Sequence, residues 1–544
     1  MMRLLWLDLN SSYAHSSLAL PAIHAQVTGT ENEVEWVKVS ATINSNVGSV
    51  VAEIVGHNPQ VLAATAWLFT REVLHKIIIR VKALLPDCVV ILGGPEMLGD
   101  NKAYLRKFPF VNCVFRGEGE LGFHEWLSVY DQPAMWDRVT GLCWLDRENI
   151  YRDNGIAKVE AFEQLNIPER SRFFDWSKPF VQLETTRGCF NTCAFCVSGG
   201  EKPVRILPVE RIRERLDLIR AKGVRDVRLL DRTFNGSSRR AIELLSLFRE
   251  YAGTLHFHLE IHPALLSEDV MSLLKEMPDG LLHLEAGIQS LREKVLSACT
   301  RIGNLQLALE GLRYLSSLPN LVVHADLIAG LPLYSLKEMF EDVRTLASFG
   351  TGEIQLELLK LLPGTVMRQK AEEWGIVYAE DPPYEVLRTS AMTVEDLREA
   401  RLLSRVIDGF YNALAWQPVT RKLIVEQPLF LRDFLFWLEE RDLLEQPLSL
   451  EKRGTLLYEF CRQRYTVYLP EISVAWIASG IPFTKEPGGR LEAWNGNLPS
   501  DLRVLSGEWT AIMRLYRLPF ETETYWFGFD RSKSQSKPLF IARN

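Results

Sequence analysis

Long apolar runs are missing from this chain. No stretch approaches the roughly 20 residues that a membrane helix needs, so no membrane span is expected. Cysteine is scarce, with eight in 544 residues, which excludes a disulfide framework of the small secreted kind. Positive charge is not in excess: 62 Lys and Arg against 69 Asp and Glu leave a formal charge of −7. Nothing therefore advertises nucleic acid or an anionic membrane surface as a partner. Solenoid repeats and low-complexity tracts are absent, and no Gly-x-Gly-x-x-Gly turn follows the first strand-like run, which disfavours a plain dinucleotide site. The opening MMRLLWLDLN meets charge at Asp8 and lacks a cleavage-site pattern, so it reads as a buried strand and the expected location is the cytoplasm. What is present is 47% apolar, 24% charged and 10% aromatic residues, a globular chain long enough for several domains.

The first 130 residues alternate between apolar runs and helical patterns. RLLWLDLN (3–10), VEWVKVS (34–40), VLAATAW (61–67), VVILGGP (89–95) and VNCVFRG (111–117) are mostly continuous apolar runs, as a parallel sheet covered on both faces requires. With the helical spacing of 71–85 between them, residues 1–135 are expected to form a doubly wound α/β domain. Residues 136–179 read as a hairpin and linker. A second alternating series, six strand–helix units from FVQLETT (180–186) to EIQLELLKL (353–361), predicts a parallel sheet curled into a partial (β/α)6 barrel over 180–390. Residues 391–544 are expected to be mainly helical, with a hairpin at 524–543.

One constellation carries chemistry. In TTRGCFNTCAFC, Cys189, Cys193 and Cys196 are spaced by three and then two residues, so one short loop can present thiolates to three corners of a cubane cluster. A zinc site would want a fourth nearby Cys or His, and the segment through residue 255 supplies none. Three cysteines leave one iron open to another ligand. The other five cysteines are scattered, and Cys88 and Cys113 beside strand-like runs read as buried free thiols.

Cys189-x3-Cys193-x-Phe195-Cys196, directly after the first strand of a βα series, resembles the radical S-adenosylmethionine (SAM) enzymes. The resemblance implies that Cys189, Cys193 and Cys196 hold a [4Fe-4S] cluster. Its open iron would chelate SAM, which one electron cleaves to a 5′-deoxyadenosyl radical. It implies Phe195, Asp231, Glu260, Gln289, Ser290 and Arg301 as SAM or pocket contacts. Gly199-Gly200-Glu201 looks like the family's amino-group motif but follows the cluster directly and not the second strand, so it reads as a decoy. His256, His258 and His262 alternate along one strand and read as ordinary strand histidines.

The first domain then resembles the cobalamin-binding domain of cobalamin-dependent radical SAM enzymes. LNSSYAHSS after the first strand, GGPE after the fourth and RGEGE after the fifth carry that likeness. It implies Ser11, Ser12, Tyr13, His15, Thr65, Gly93, Gly94, Pro95, Glu96, Gly117 and Glu118 as cobalamin contacts, the glycines giving close backbone approach to a flat ligand. No Asp-x-His-x-x-Gly pattern is present, so binding without an axial protein histidine is expected. DPPYEVLRTSAMTVEDL looks like the carboxy-terminal extension of one uncharacterised subgroup.

The resemblance implies a radical enzyme that methylates an unactivated carbon, with an electron donor such as flavodoxin or ferredoxin, while the acidic balance and the lack of a peptide- or RNA-binding module fit a small-molecule or lipid-like substrate and no nucleic acid. A non-methylating oxidoreductase or cyclase on the same scaffold, and a cobalamin- or redox-responsive binding protein, are the alternatives. Cobalamin beside a radical barrel further predicts that the strand C-terminal edges of the two domains face each other.

Overall fold

The computed structural model describes residues 2–27, 34–485, 487–488, 491–496, 502, 513–520, 523–532 and 537–544. The chain folds as two compact units, residues 1–323 with 330–334 and 358–394, and residues 324–329 with 335–357 and 395–544.

The first unit opens with alternating strands and helices: β1 (Met2–Asn10), α1 (Ala19–His24), β2 (Val34–Thr42), α2 (Val47–His57), β3 (Val61–Thr65), α3 (Arg71–Leu84), β4 (Val89–Gly93), α4 (Lys102–Lys107), β5 (Cys113–Phe115) and α5 (Gly122–Leu127). Successive side chains of a strand point to opposite faces. In β1, Leu5, Leu7 and Leu9 therefore pack with α2 and α3, while Leu4 and Trp6 pack with α1 and α5. Both faces are covered, which is why the run is apolar without alternation. The expected hairpin, β6 (Leu142–Leu145) and β7 (Tyr151–Asp153), joins this sheet as antiparallel edge strands in the order β2-β1-β3-β4-β5-β6-β7. The order reverses between β1 and β3, and doubly wound sheets bind ligands outside the strand C-termini at such a point.

The second series in this unit runs β8 (Phe180–Leu183), the short β9 (Thr186–Arg187) and β10 (Arg205–Ile206), α6 (Val209–Ala221), β11 (Asp226–Leu229), α7 (Ser238–Arg249), β12 (His256–Ile261), α8 (Glu268–Lys275), β13 (Leu282–Gln289), α9 (Glu293–Ala298) and α10 (Leu305–Ser316). Strands β8, β11, β12 and β13 pair in parallel, in that order. Phe257, Leu259 and Ile261 of β12 are buried, and the intervening His258 and Glu260 line the other face.

The other unit holds most of β14 (Val322–Ala329), α11 (Leu336–Phe349) and β15 (Glu353–Leu358). Residues 358–394 return to the first unit with α12 (Val366–Gln369), β16 (Val377–Tyr378) and β17 (Val386–Arg388). The expected helix over 393–414 is α13 (Val394–Val406) followed by a π-helical turn, Ile407–Tyr411, whose neighbour Asn412 bonds both the amide and the carbonyl of Ile354 at 3.0 and 2.9 Å. Then come α14 (Gln417–Glu426), α15 (Phe430–Glu439), α16 (Leu450–Arg464) and α17 (Leu469–Ala478) around a core of Phe410, Phe430, Phe434 and Phe460. Each fully buried Phe contributes roughly 1.5–3 kcal/mol. Among the described residues toward the end of the chain, β18 (Glu492–Trp494), β19 (Met513–Pro519), β20 (Thr524–Asp530) and β21 (Phe540–Arg543) form an antiparallel sheet. The expected 524–543 hairpin is its β20–β21 pair, with residues 533–536 of its turn outside the described ones.

Candidate active site

The cysteines lie on an excursion of the chain, residues 188–204, closed at its base by β9 and β10 pairing antiparallel. Gly188 turns into it with φ +95°, and a Cβ there would stand 2.6 Å from the Glu201 carbonyl, which instead accepts the Cys189 amide at 2.9 Å. A loop without regular structure must find partners for its backbone groups, and residues 299–302 supply them. The Ala194 amide donates to the Cys299 carbonyl at 2.9 Å, and Asn191 bonds the amide and carbonyl of Ile302 at 2.9 and 3.0 Å. Thr192 and Thr300 each donate a hydroxyl to the other's carbonyl. The Ala194 carbonyl accepts the Met367 amide at 2.8 Å. Asn191 and Thr192, between two cysteines, carry no spacing signal that sequence reading could use.

Cys193 is buried and the other two thiols are half-buried. Burial pushes the Cys193 thiol up, while Arg301, whose Nη1 stands 3.3 Å from its Sγ, acts the other way. Burial also pushes Cys196 up, opposed first by the Ser198 amide. Among the described residues no three His, Cys, Asp or Glu converge tightly enough to hold one metal ion. A cluster does not need that convergence, because each thiolate takes a different iron. Three thiols on one loop, with an arginine N–H aimed at one sulfur, fit a cluster and its need for hydrogen bonds to sulfur.

The other implied contacts divide. Asp231 is buried, and its carboxylate accepts from the Thr185 amide at 2.7 Å, the Thr186 amide at 3.0 Å and the Thr185 hydroxyl. It ties the chain leaving β8 to the end of β11 and has little capacity left for a ligand. Glu260 makes no side-chain hydrogen bond or ion pair among the described residues, and burial, then the Glu285 charge, push its carboxyl up to about 7. Arg301 also donates to the Gly287 carbonyl, and Gln289 ends β13 with φ +69°. Ser290 is buried and accepts the Arg292 amide at 3.2 Å. Phe195 is half-buried in the cysteine loop. In Gly199-Gly200-Glu201, Gly199 lies against the Cys193 carbonyl and Glu201 pairs with Arg205 at 3.1 Å, so the triplet serves the loop itself. Among the histidines, His258 bonds Glu285 at 2.9 Å, His256 lies 3.2 Å from Asp226, and His262 bonds the Ile302 carbonyl at 3.0 Å. Burial holds His262 down to about 4, hence neutral.

The first domain's strand-end loops divide as well. Ser12 Oγ lies 2.7 Å from His15 Nδ1, and the His15 ring meets Phe180 edge-on. Tyr13 is exposed beneath Lys178, and Ser11 is half-buried beside it. Thr65 is buried at the end of β3 against Gly94, whose φ of +99° and close neighbours leave no room for a Cβ. Gly93 has only ordinary contacts. Pro95 begins a short turn in which Glu96 faces inward and not toward a ligand: it pairs with Arg71 at 3.0 Å and accepts the Tyr384 hydroxyl at 2.5 Å. Gly117 (φ +94°) gives close approach, but to the chain's own Ala157, whose backbone a Cβ would strike. Glu118 is occupied by Arg187, Arg205 and the Val159 amide.

These contacts bring strand ends together within the first unit. The segment after β4 meets the segment after β15: a Cβ on Gly99 would stand 3.1 Å from the Gly364 amide, and Lys360 lies over the Phe69 ring at 5.7 Å. The segment after β5 meets Arg187 and Arg205 at the base of the cysteine loop. LNSSYAHSS instead lies by the start of β8, at Lys178 and Phe180.

The radical SAM superfamily model matches residues 183–346, and a model described as a protein of unknown function, DUF4080, matches 372–473. The cobalamin-dependent radical SAM methyltransferase TokK of Streptomyces tokunonensis is 25% identical over 382 residues, 62% of this chain and 54% of that protein. A tRNA-2-methylthio-N(6)-dimethylallyladenosine synthase of Psychrobacter arcticus is 25% identical over 281 residues, 49% of this chain and 53% of that protein. The chain thus spans about half the length of the curated relatives it matches. The solved structure of the cobalamin-dependent SAM radical enzyme OxsB, with aqua-cobalamin and SAM bound, superposes with a TM-score of 0.59 at 13% identity, covering 87% of this chain and 79% of that one. Residues 183–346, with the cysteine loop at the strand ends, thus form a radical SAM domain, and the fold of the chain resembles that of OxsB.

Proposed function

We propose that the protein is a cobalamin-dependent radical SAM enzyme that methylates an unactivated carbon of a small-molecule or lipid-like substrate. When bound, the cluster supplies the electron that cleaves SAM, and cobalamin carries the methyl group. Cys189, Cys193 and Cys196 hold the cluster, Arg301 donates to a ligating sulfur, and Asp231 fixes the turn that launches the cysteine loop. Glu260 and Gln289 face the ligand from β12 and β13. The first domain presents Ser12, His15, Thr65, Gly93 and Gly94 at its own strand ends. An electron donor such as flavodoxin or ferredoxin and a cytoplasmic setting belong to the same reading. No helix among the described residues is long and apolar enough to cross a membrane.

The observation that carries this reading is the approach of the two strand-end edges, through Glu118 and Glu120 to Arg187 and Arg205, and through Gly99 to Gly364. A second reading is a non-methylating oxidoreductase or cyclase on the same scaffold. Anaerobic incubation with SAM, cobalamin and a chemical reductant separates the two. 5′-Deoxyadenosine together with S-adenosylhomocysteine supports methylation, 5′-deoxyadenosine alone supports the second reading, and neither product leaves a binding protein.

A further inference from the structure

The excursion that carries the three cysteines is held at two places. One is the barrel side, through Asn191, Thr192 and Ala194 to residues 299–302. The other is its base, where Arg187 and Arg205 stand opposite each other in the β9–β10 pair. Arg187 Nη2 bonds Glu120 at 2.6 Å and Glu184 at 2.8 Å, its Nη1 reaches Glu118 at 3.2 Å, and the guanidinium lies over Phe162. Arg205 grips Glu118 with both terminal nitrogens and also reaches the Val159 carbonyl and Glu201. Glu118 and Glu120 come from the RGEGE segment after β5, whose path Gly117 fixes against Ala157.

We infer that Arg187 and Arg205 are positioning residues that set the cysteine loop against the β5 segment of the first domain. The inference rests on the reading of Cys189, Cys193 and Cys196 as cluster ligands. Its ground is the placement of the arginines: one lies two residues before Cys189, the other closes the far end of the same loop. A displacement of the β5 segment therefore reaches both ends of the loop together. Planar guanidinium forks bonded to two carboxylates of one segment fix direction as well as distance, which a Lys ammonium does not. A buried ion network is weak evidence for stability but is well suited to fixing register. Both arginine side chains are largely buried, so salt screens them little.

The test is Glu118→Gln/Glu120→Gln in the full chain, which removes both charges while Arg187 keeps Glu184 and Arg205 keeps Glu201. In the metal-free protein, mass spectrometry of iodoacetamide alkylation should show Cys189 and Cys196 reacting about threefold faster or more, with Cys113 and Cys461 unchanged. In the iron-loaded protein, iron content should match the wild type, while the paramagnetic spectrum of the reduced cluster should respond to SAM at higher concentration. If the double variant does not fold, the single Glu120→Gln protein carries the same comparison. Unchanged rates at Cys189 and Cys196, or equal acceleration at all cysteines, would overturn the inference. A wild-type protein that takes up no iron would overturn the cluster reading alone, since the alkylation result stands without it.

Discussion

Glu260 of β12 and Glu285 of β13 stand opposite each other on neighbouring parallel strands, and His258 bonds the second of them at 2.9 Å. Like charges directly across a sheet repel. The pair is tolerated because burial and the Glu285 charge push Glu260 up to about 7, so that it holds a proton below neutrality.

The sign of the resulting pH dependence is fixed. The folded value lies above the ordinary 4.5, so the native state binds more protons than the unfolded chain between about 4.5 and 7. Stability contributed at this site is full below that window and falls as pH rises through it. Glu260→Gln should flatten that slope and stabilise the protein at pH 7.5 by order 1–2 kcal/mol. Urea midpoints at pH 5 and 7.5 check this, and a variant with the wild-type slope would contradict it.

Anaerobically reconstituted protein should carry four irons and four sulfides. Changing Cys189, Cys193 or Cys196 to Ala should remove both the cluster absorbance and SAM cleavage. Cys299 lies outside the loop, its carbonyl accepting the Ala194 amide, and Cys461 lies in the α16 core, so alanine at either should leave the iron content unchanged. A Cys193→Ala protein with full absorbance sinks the assignment.

Arg301→Met removes the N–H aimed at the Cys193 sulfur and the bond to the Gly287 carbonyl. Partners of metal ligands typically matter by about 10–100-fold in affinity or activity. The expected protein retains iron, shows a more negative cluster potential, and forms 5′-deoxyadenosine more slowly by that order. Redox titration followed by electron paramagnetic resonance is the check, and an unmoved potential would remove Arg301 from the site.

Gly117→Ala and Gly155→Ala both place a Cβ at positive φ, +94° and +82°. Only the first meets the Ala157 backbone, while the second has nothing within 4 Å. Gly155→Ala should cost about 1 kcal/mol, and Gly117→Ala distinctly more than that. Thermal unfolding of the pair decides it; equal losses would show that the Ala157 contact relaxes freely.

Much of this was legible in the sequence because local patterns report local physics. Apolar runs without alternation announced sheets covered on both faces, and the runs at 3–10, 61–67 and 89–95 became β1, β3 and β4. Cys189, Cys193 and Cys196 fall on one short loop, as their spacing in the sequence requires.

What the sequence could not show is where a polar side chain spends its hydrogen bonds. Asp231 and Glu96 have the residue type and strand-end position of ligand contacts, yet Asp231 is consumed by Thr185 and Thr186, and Glu96 by Arg71 and Tyr384, 288 residues away. Gly117 announced a close approach, and only the fold decided that the partner is Ala157. Arg187, Arg205, Asn191 and Thr192 carry no signal at all, because their roles depend on groups distant in sequence and adjacent only after folding. The chain by itself determined the strands, the cysteine loop and the chemistry that loop can hold. Tertiary structure decided which strand-end residues remain free for a ligand, since a buried polar group must be satisfied by whatever neighbour folding brings to it.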